Sequence, residues 1–167
     1  MGFNDSLSRR NFVKLIGASS VISAGMLVGC GGGSDSDNDG KFKIGGIGPV
    51  TGAAAIYGNA TRNGTQIAVD EVNAEKDGKV KLAFKNADDE HDAEKSVNAY
   101  KSLKDWGMQI LVGTTTTAPC VAVTAQTNQD NMFQLTPSAS STDVIGGQAD
   151  ADGNVTTQRK KNVFQMC

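Results

Sequence analysis

The stretch "MQILVGTTTTAPCVAVTAQTNQDNMFQLT" (Met108–Thr136) decides the fold of this protein. It predicts a buried apolar strand, "MQILVG", then a helix, "APCVAVTAQTNQ", and then a second strand, "MFQLT". Pro119 suits the first turn of that helix, because its missing N–H is not needed there. Four threonines, Thr114–Thr117, lie where the first strand stops and the chain must turn.

The same alternation continues on both sides of this stretch. Upstream, "KFKIGGIG" (Lys41–Gly48) and "KVKLAF" (Lys79–Phe84) predict strands. A helix over Asn59–Glu75 lies between them, and Asp92 is placed to cap another helix that ends at Gly107. Residues of the first helix that share one face at helical spacing are Ala60, Gly64, Ile67, Ala68 and Val72.

A long segment after the fourth strand predicts irregular structure with a turn at Asp152-Gly153, and "NVFQMC" (Asn162–Cys167) predicts a fifth strand. Alternating strands and helices indicate an α/β fold. We expect a Rossmann-like parallel sheet with helices on both faces.

Loops that follow parallel strands gather at the carboxyl edge of the sheet, where ligands bind in such folds. The expected loops are Pro49–Gly58, Asn86–Asp92, Thr114–Ala118 and Thr136–Thr142. The threonine run precedes a helix N-terminus, whose free N–H groups and dipole attract an anion. "TPSASST" (Thr136–Thr142) adds a second set of hydroxyls. Two such loops at one edge favour a carboxylate-sized cradle over threonines that only cap the helix and pack.

Signatures of catalysis are missing from the sequence. The one histidine, His91, lies in an acidic loop and is interpreted as a solvated side chain, and the neighbouring acids lack EF-hand spacing. "GGIGPVTG" is no phosphate loop, and neither a nucleophile elbow nor a zinc pattern is present. A net charge of −2 implies no nucleic-acid partner. The sequence therefore predicts a binding protein without a cofactor or metal, and not an enzyme.

The first 29 residues predict an export signal, with basic residues before the small, apolar "LIGASSVISAGMLVG" (Leu15–Gly29). "SRRNFVK" (Ser8–Lys14) fits either a twin-arginine signal or a Sec signal that contains two arginines. "LVGC" resembles a bacterial lipobox, which predicts lipidation at Cys30 and anchoring on the extracytoplasmic side of the cell membrane. Residues 30–40, "CGGGSDSDNDG", predict a flexible tether between the anchor and the domain.

Two further cysteines, Cys120 and Cys167, follow Cys30. In an exported protein they can form a disulfide, or both can remain free thiols. The sequence leaves both alternatives open, because it does not fix their separation.

Residues 41–167 resemble the N-terminal lobe of the substrate-binding proteins of branched-chain amino acid ABC transporters, the leucine/isoleucine/valine-binding type. The resemblance rests on the order and spacing of several segments: "KIGGIGPVTGAAAIYG", "NGTQIAVDEVNA", "DDEHDAEKSVNAYKSL", the apolar strand with its hydroxyl loop, and "TPSAS". It implies a two-lobed, lipid-anchored receptor that closes over an amino acid and delivers it to the membrane subunits of an ABC permease.

The resemblance also implies site residues. The ligand carboxylate would be held by Thr117 and Ser140 with backbone from Ser138 and Ala139, while Tyr57 would cover the aliphatic side chain. Thr116 would share the role of its neighbour.

The family pattern is only partly matched. The chain stops where the family crosses toward its second lobe, so we expect that C-terminal lobe to be missing. Some members bridge two cysteines at the places that here hold His91 and Thr116. Relatives on this fold take amides, urea or aromatic acids, and a sensing receptor ectodomain is the alternative to transport.

Overall fold

The computed structural model of the protein describes residues 40–167. The predicted signal (1–29) and all but the last residue of the predicted tether (30–40) lie outside the described residues. The elements, in chain order, are β1 (Phe42–Gly48), α1 (Ala55–Ala74), β2 (Leu82–Asp88), α2 (Ala93–Asp105), β3 (Ile110–Gly113), α3 (Thr117–Gln129), β4 (Phe133–Thr136), a 3₁₀ turn (Thr142–Val144) and β5 (Val163–Gln165).

The five strands form one parallel sheet in the order β2-β1-β3-β4-β5. The predicted α/β fold with a parallel sheet is confirmed. All the strands point the same way, so the segments that leave β1, β2, β3 and β4 meet at one edge. That edge is where the sequence places its hydroxyl-rich loops.

Helices cover both faces of the sheet, as expected. Successive residues of a strand point to opposite faces, and Ile47 of β1 and Leu111 of β3 face α2 and α3. There they pack with Tyr100, Leu103, Met108 and Val123 in the main core. α1 lies on the opposite face, where Ile44 and Val112 point toward it.

A smaller core lies beside α3 and supports the chain after β4. It consists of Cys120, Ala139, Val144 and Val163, all fully buried. These side chains fix the backbone between β4 and the 3₁₀ turn, so the second hydroxyl loop has a rigid base. The predicted turn at Asp152-Gly153 is confirmed, with Gly153 at a φ of +83° and its N–H bonded to the Asp150 carbonyl.

Two elements depart by three or more residues from their predicted bounds. α1 begins at Ala55 and not at Asn59, with Ala54 as its N-cap, because alanine is a strong helix former. β2 spans Leu82–Asp88 and not Lys79–Phe84. Its polar end pairs in register with β1, Gly48 opposite Asp88, and this pairing satisfies the backbone whatever the side chains are.

The predicted buried face of α1 is partly wrong. Ile67 is 58% exposed, and Val69 is the buried apolar residue instead. Ala60, Gly64, Ala68 and Val72 line an apolar hollow of about 450 Å³ between α1 and the sheet, but the first three are exposed and Val72 is half-buried. Within residues 40–167, no helix combines the length and apolar character that a membrane span requires.

Candidate functional site: a hydroxyl-lined cleft at the carboxyl edge

The loops after β1 and β2 are tied together by Asp88, the last residue of β2. Its carboxylate accepts the Val50 N–H at 2.9 Å and the Thr51 hydroxyl at 2.6 Å. Desolvation alone would raise the pKa of Asp88, but these bonds and one from the Glu90 N–H outweigh it and hold the pKa below its usual value. The ionised form of Asp88 therefore fixes the loop that leads to Tyr57.

The loops after β3 and β4 are joined by hydroxyl-to-carbonyl bonds. Thr136 donates to the Thr114 carbonyl at 2.8 Å, and Ser138 donates to the Thr115 carbonyl at 2.6 Å. Below them, the buried Gln134 donates to the Gly113 carbonyl at 2.7 Å. Several of the hydroxyls that the sequence brings to this edge thus hold the two loops in register.

A cleft of about 790 Å³ opens between these loops. Its walls are rich in hydroxyls, and the residues that line it are Tyr57, His91, Thr115, Thr116, Thr117, Ala118, Val121, Ser138, Ser141 and Asp143. The cleft begins at the N-terminus of α3, a helix of 13 residues. The free N–H groups of that first turn carry partial positive charge, which suits an anionic group.

Thr115 lines the cleft but is only 2% exposed. Its hydroxyl has no hydrogen-bond partner among the described residues. The hydroxyl oxygen packs against the end of β1, where a Cβ on Gly48 would collide with it. The Thr115 side chain therefore joins the first hydroxyl loop to β1 by packing.

Four of the residues that the resemblance implies do line the cleft: Tyr57, Thr116, Thr117 and Ser138. Thr116 is the N-cap of α3, yet its side chain makes no capping hydrogen bond. Its hydroxyl is therefore not engaged in capping, which argues against a run of threonines that merely caps the helix.

Ala139 and Ser140 are placed differently. Ala139 is fully buried, and its N–H donates to the Thr136 hydroxyl at 3.2 Å. The Ser140 N–H donates to the Thr117 hydroxyl oxygen at 3.3 Å. The Ala139 bond lies within the second loop, whereas the Ser140 bond holds that loop against the first. The Thr117 proton remains free to be donated into the cleft.

His91 is the main difference between the sequence interpretation and the structure. Its ring is exposed, as expected of a solvated histidine, but it lines the cleft and its Nδ1 lies 2.9 Å from the Thr116 hydroxyl oxygen. This hydrogen bond joins the loops that follow β2 and β3.

Sequence reasoning passed over two apolar lining residues, Ala118 and Val121, and four polar ones: His91, Thr115, Ser141 and Asp143. Thr115 and Ser141 belong to the two hydroxyl runs. A prediction that counted every hydroxyl of those runs would have included both residues. No sequence signal marked Asp143, because it enters the cleft only through the 3₁₀ turn that follows the second loop.

The two cysteines of the described chain are both free. Cys120 is buried in α3, and Cys167 is exposed after β5, so the disulfide alternative does not hold in this structure. Burial raises the pKa of the Cys120 thiol and keeps it in the protonated, unreactive form.

The profile of the family described as "Periplasmic binding protein" matches residues 41–165. The chain belongs to this family. It is a family of solute-binding proteins, and the match covers every strand and helix of the sheet described above.

Two curated relatives are named as Leu/Ile/Val-binding proteins. The Leu/Ile/Val-binding protein BraC3 of Rhizobium johnstonii is 33% identical over 104 residues, which are 60% of this chain and 28% of that protein. The Leu/Ile/Val-binding protein homolog 3 of Brucella melitensis is 29% identical over 127 residues, 74% of this chain and 31% of that protein. The chain thus spans about a third of the length of these relatives.

Solved structures show the same fold. The branched-chain amino acid transporter substrate-binding protein LivJ of Streptococcus pneumoniae, in complex with isoleucine, superposes with a TM-score of 0.62 at 23% identity. It matches 75% of this chain and 33% of its own length. A solute-binding protein of an ABC transporter from Rhodopseudomonas palustris, in complex with 3,4-dihydroxy benzoic acid, gives 0.60 at 16% identity, over 75% of this chain and 31% of its own.

Proposed function

We propose that this chain is the ligand-binding N-terminal lobe of a lipid-anchored receptor that binds a branched-chain amino acid and delivers it to an ABC permease. The observation that carries the proposal is the hydroxyl-rich cleft that opens at the α3 N-terminus, with the Thr116 and Thr117 side chains in its wall. A ligand carboxylate in that cleft accepts from these hydroxyls and meets the partial positive charge of the helix end.

Thr117 and Thr116 act together in this proposal. Thr117 accepts from the Ser140 N–H and donates its own proton to the carboxylate, so the ligand continues a hydrogen-bond chain between the two loops. Ser138 and the peptide groups of Ala139 and Ser140 keep the second loop in place. Tyr57, 64% exposed at the rim, covers the aliphatic part of the ligand.

Aromatic acids are the competing ligand class. Two solute-binding proteins from Rhodopseudomonas palustris with this fold have structures with 3,4-dihydroxy benzoic acid and with benzoate. Like amino acids, these ligands carry a carboxylate, so the proposed cradle serves either class. The ligand's other end then decides between them.

The first test compares acids with their amides. Signals of backbone amides in the Thr114–Thr117 loop are followed by NMR while leucine, isoleucine, valine, benzoate or the corresponding amides are added to the purified protein. We expect saturable shifts with the acids and much weaker ones with the amides, because an amide lacks the charge that the cradle stabilises. Equal affinity for amides and acids would overturn the proposal.

Thr117→Val should weaken carboxylate binding roughly 10- to 150-fold, because a hydrogen bond to a charged group contributes about 1.5–3 kcal/mol. The side chain keeps its shape and loses only the hydroxyl. Thr65→Val is the matched control, since the Thr65 hydroxyl bonds the Thr61 carbonyl within α1, away from the cleft. If the two variants bind alike, Thr117 holds no ligand.

Lipid anchoring is a separate part of the proposal and rests on the lipobox-like "LVGC" that ends at Cys30. Cells fed a palmitate analogue should incorporate label into the wild-type protein and not into Cys30→Ser. Two acyl chains are needed for stable anchoring, so the variant should also leave the membrane fraction. Equal labelling of both proteins would rule out an anchor at this residue.

A further inference from the structure

His91 is held in place by its backbone and its ring together. Glu90 and His91 lie in a tight turn with φ values of +49° and +63°. The His91 N–H donates to the carboxylate of the fully buried Asp89 at 2.9 Å, and Asp92 caps α2 by accepting the Lys95 N–H at 2.8 Å. The turn therefore presents the imidazole to the cleft from a fixed base.

The ring nitrogens have different surroundings. Nδ1 lies 2.9 Å from the Thr116 hydroxyl oxygen. Within residues 40–167, no hydrogen bond joins Nε2 to a protein group. When Thr116 donates its proton to Nδ1, the neutral ring carries its own proton on Nε2. Nε2, which has no partner among the described residues, is then a hydrogen-bond donor.

We propose that His91 is a ligand-binding residue of this lobe that donates an Nε2 proton to the anionic group of the ligand and makes binding tighter at acidic pH. This inference rests on the proposed function, because it assigns a second donor to the same carboxylate. It gives the exposed imidazole of an otherwise hydroxyl-lined cleft a specific role.

Protonation changes two donors at once. The charged ring donates from both nitrogens, so the Thr116 oxygen becomes an acceptor from Nδ1 and its hydroxyl proton turns away from the ring. That proton becomes available to the ligand, and Nε2 now carries a charge-assisted bond. Charge-assisted bonds are about twice as strong as neutral ones. We expect carboxylates to bind about tenfold more tightly when His91 is charged.

Other ionisable groups surround the ring. Its own loop, α1, α2 and the 3₁₀ turn across the cleft contribute Asp88, Asp89, Glu90, Asp92, Tyr57, Lys95 and Asp143. Lys95 is paired with Glu90 at 2.6 Å, and the Asp143 carboxylate accepts from Gln148 at 2.8 Å. Burial raises the pKa of Asp89, so the contribution of the ring is isolated with a variant of His91 itself.

The test measures binding of leucine and benzoate to the purified protein at about pH 5.5 and about pH 8, which lie on either side of the usual imidazole titration. Both ligands keep their carboxylates charged at both values. The wild type should bind about tenfold more tightly at the lower pH. His91→Asn should lose that ratio, and asparagine accepts the positive φ, which keeps the turn intact.

A direct readout comes from the imidazole itself. His91 is the one histidine of the sequence, so its ring gives a single set of NMR signals. The ring ¹⁵N shifts should show the proton on Nε2 in the free neutral state, and added carboxylate should move them. Thr116→Val should mix the tautomers, and Thr116→Ser should restore the Nε2 form. A ring protonated on Nδ1 would overturn the inference.

The outcomes separate the two proposals. If carboxylates bind with the same affinity at both pH values, or if His91→Asn keeps the tenfold ratio, His91 has no such role and the hydroxyl cradle stands. If no carboxylate shifts the Thr114–Thr117 signals at either pH, the proposed function fails and this inference fails with it. Lys101→Gln controls for the loss of a basic side chain elsewhere on the surface and should keep the ratio.

Discussion

Replacing Gly113 with alanine should lower the free energy of unfolding by about 3 kcal/mol, since a strained backbone and a steric clash each contribute roughly 1–3 kcal/mol. Gly113 ends β3 at a φ of +141°, a backbone conformation that residues other than glycine rarely adopt. A Cβ there would collide with the carbonyl of Ile47 in the neighbouring strand. Neither backbone can move without breaking the pairing of β1 with β3.

Gly64→Ala is the matched control, with an expected change of the opposite sign. Gly64 lies within α1, and a Cβ added there meets no atom within 4 Å. Alanine in a helix interior is more stable than glycine by about 0.5–1 kcal/mol. Urea unfolding of both variants measures the difference. A Gly113→Ala protein as stable as the wild type would mean that the β3 end is not the rigid start of the hydroxyl loop.

Gln134→Leu should also lower the free energy of unfolding by about 3 kcal/mol, at the upper end of the cost of a buried unpaired group. Gln134 is fully buried in β4, accepts the Thr127 hydroxyl at 2.6 Å and donates to the Gly113 carbonyl at 2.7 Å. Leucine fills nearly the same space but leaves that carbonyl without a partner in the sheet interior.

A double-mutant cycle with Thr127→Val isolates the contribution of the hydrogen bond between Thr127 and Gln134. Once Gln134 is leucine, the Thr127 hydroxyl retains only its 3.3 Å bond to the Thr124 carbonyl. Thr127→Val should therefore cost less stability in the Gln134→Leu background than in the wild type. Additive effects would contradict a coupled network. NMR signals of the Thr114–Thr117 loop should shift in Gln134→Leu, because Gln134 holds the residue from which that loop begins.

The stability predictions and the binding predictions concern one structural unit. Gly113 and Gln134 set where the first hydroxyl loop leaves the sheet, and Thr136 and Ser138 join it to the second loop. Thr116 and Thr117, which line the cleft, follow directly on that support. A change beneath the cleft should therefore act on affinity as well as on folding.

The sequence by itself determined the fold class and the place of the site. Runs such as "MQILVG" and "MFQLT" have the length and apolar character of buried strands, and the helices between them carry their own caps and stops. Such local signals imply a parallel sheet, and a parallel sheet brings the strand ends to one edge. Thr116, Thr117, Ser138 and Tyr57, which the family resemblance implies as site residues, line the cleft at that edge.

Only the tertiary structure decided which polar groups line the cleft and which bond within the protein. Thr114, Thr115 and Thr116 are identical in type and adjacent in sequence, yet one bonds a carbonyl, one is buried without a partner, and one meets His91. Hydrogen-bond partners are set by distances of a few ångströms between loops far apart in the chain, and no local pattern encodes those distances. His91 lies 25 residues from Thr116, and it becomes a cleft residue only because β2 and β3 flank β1 in the same parallel sheet.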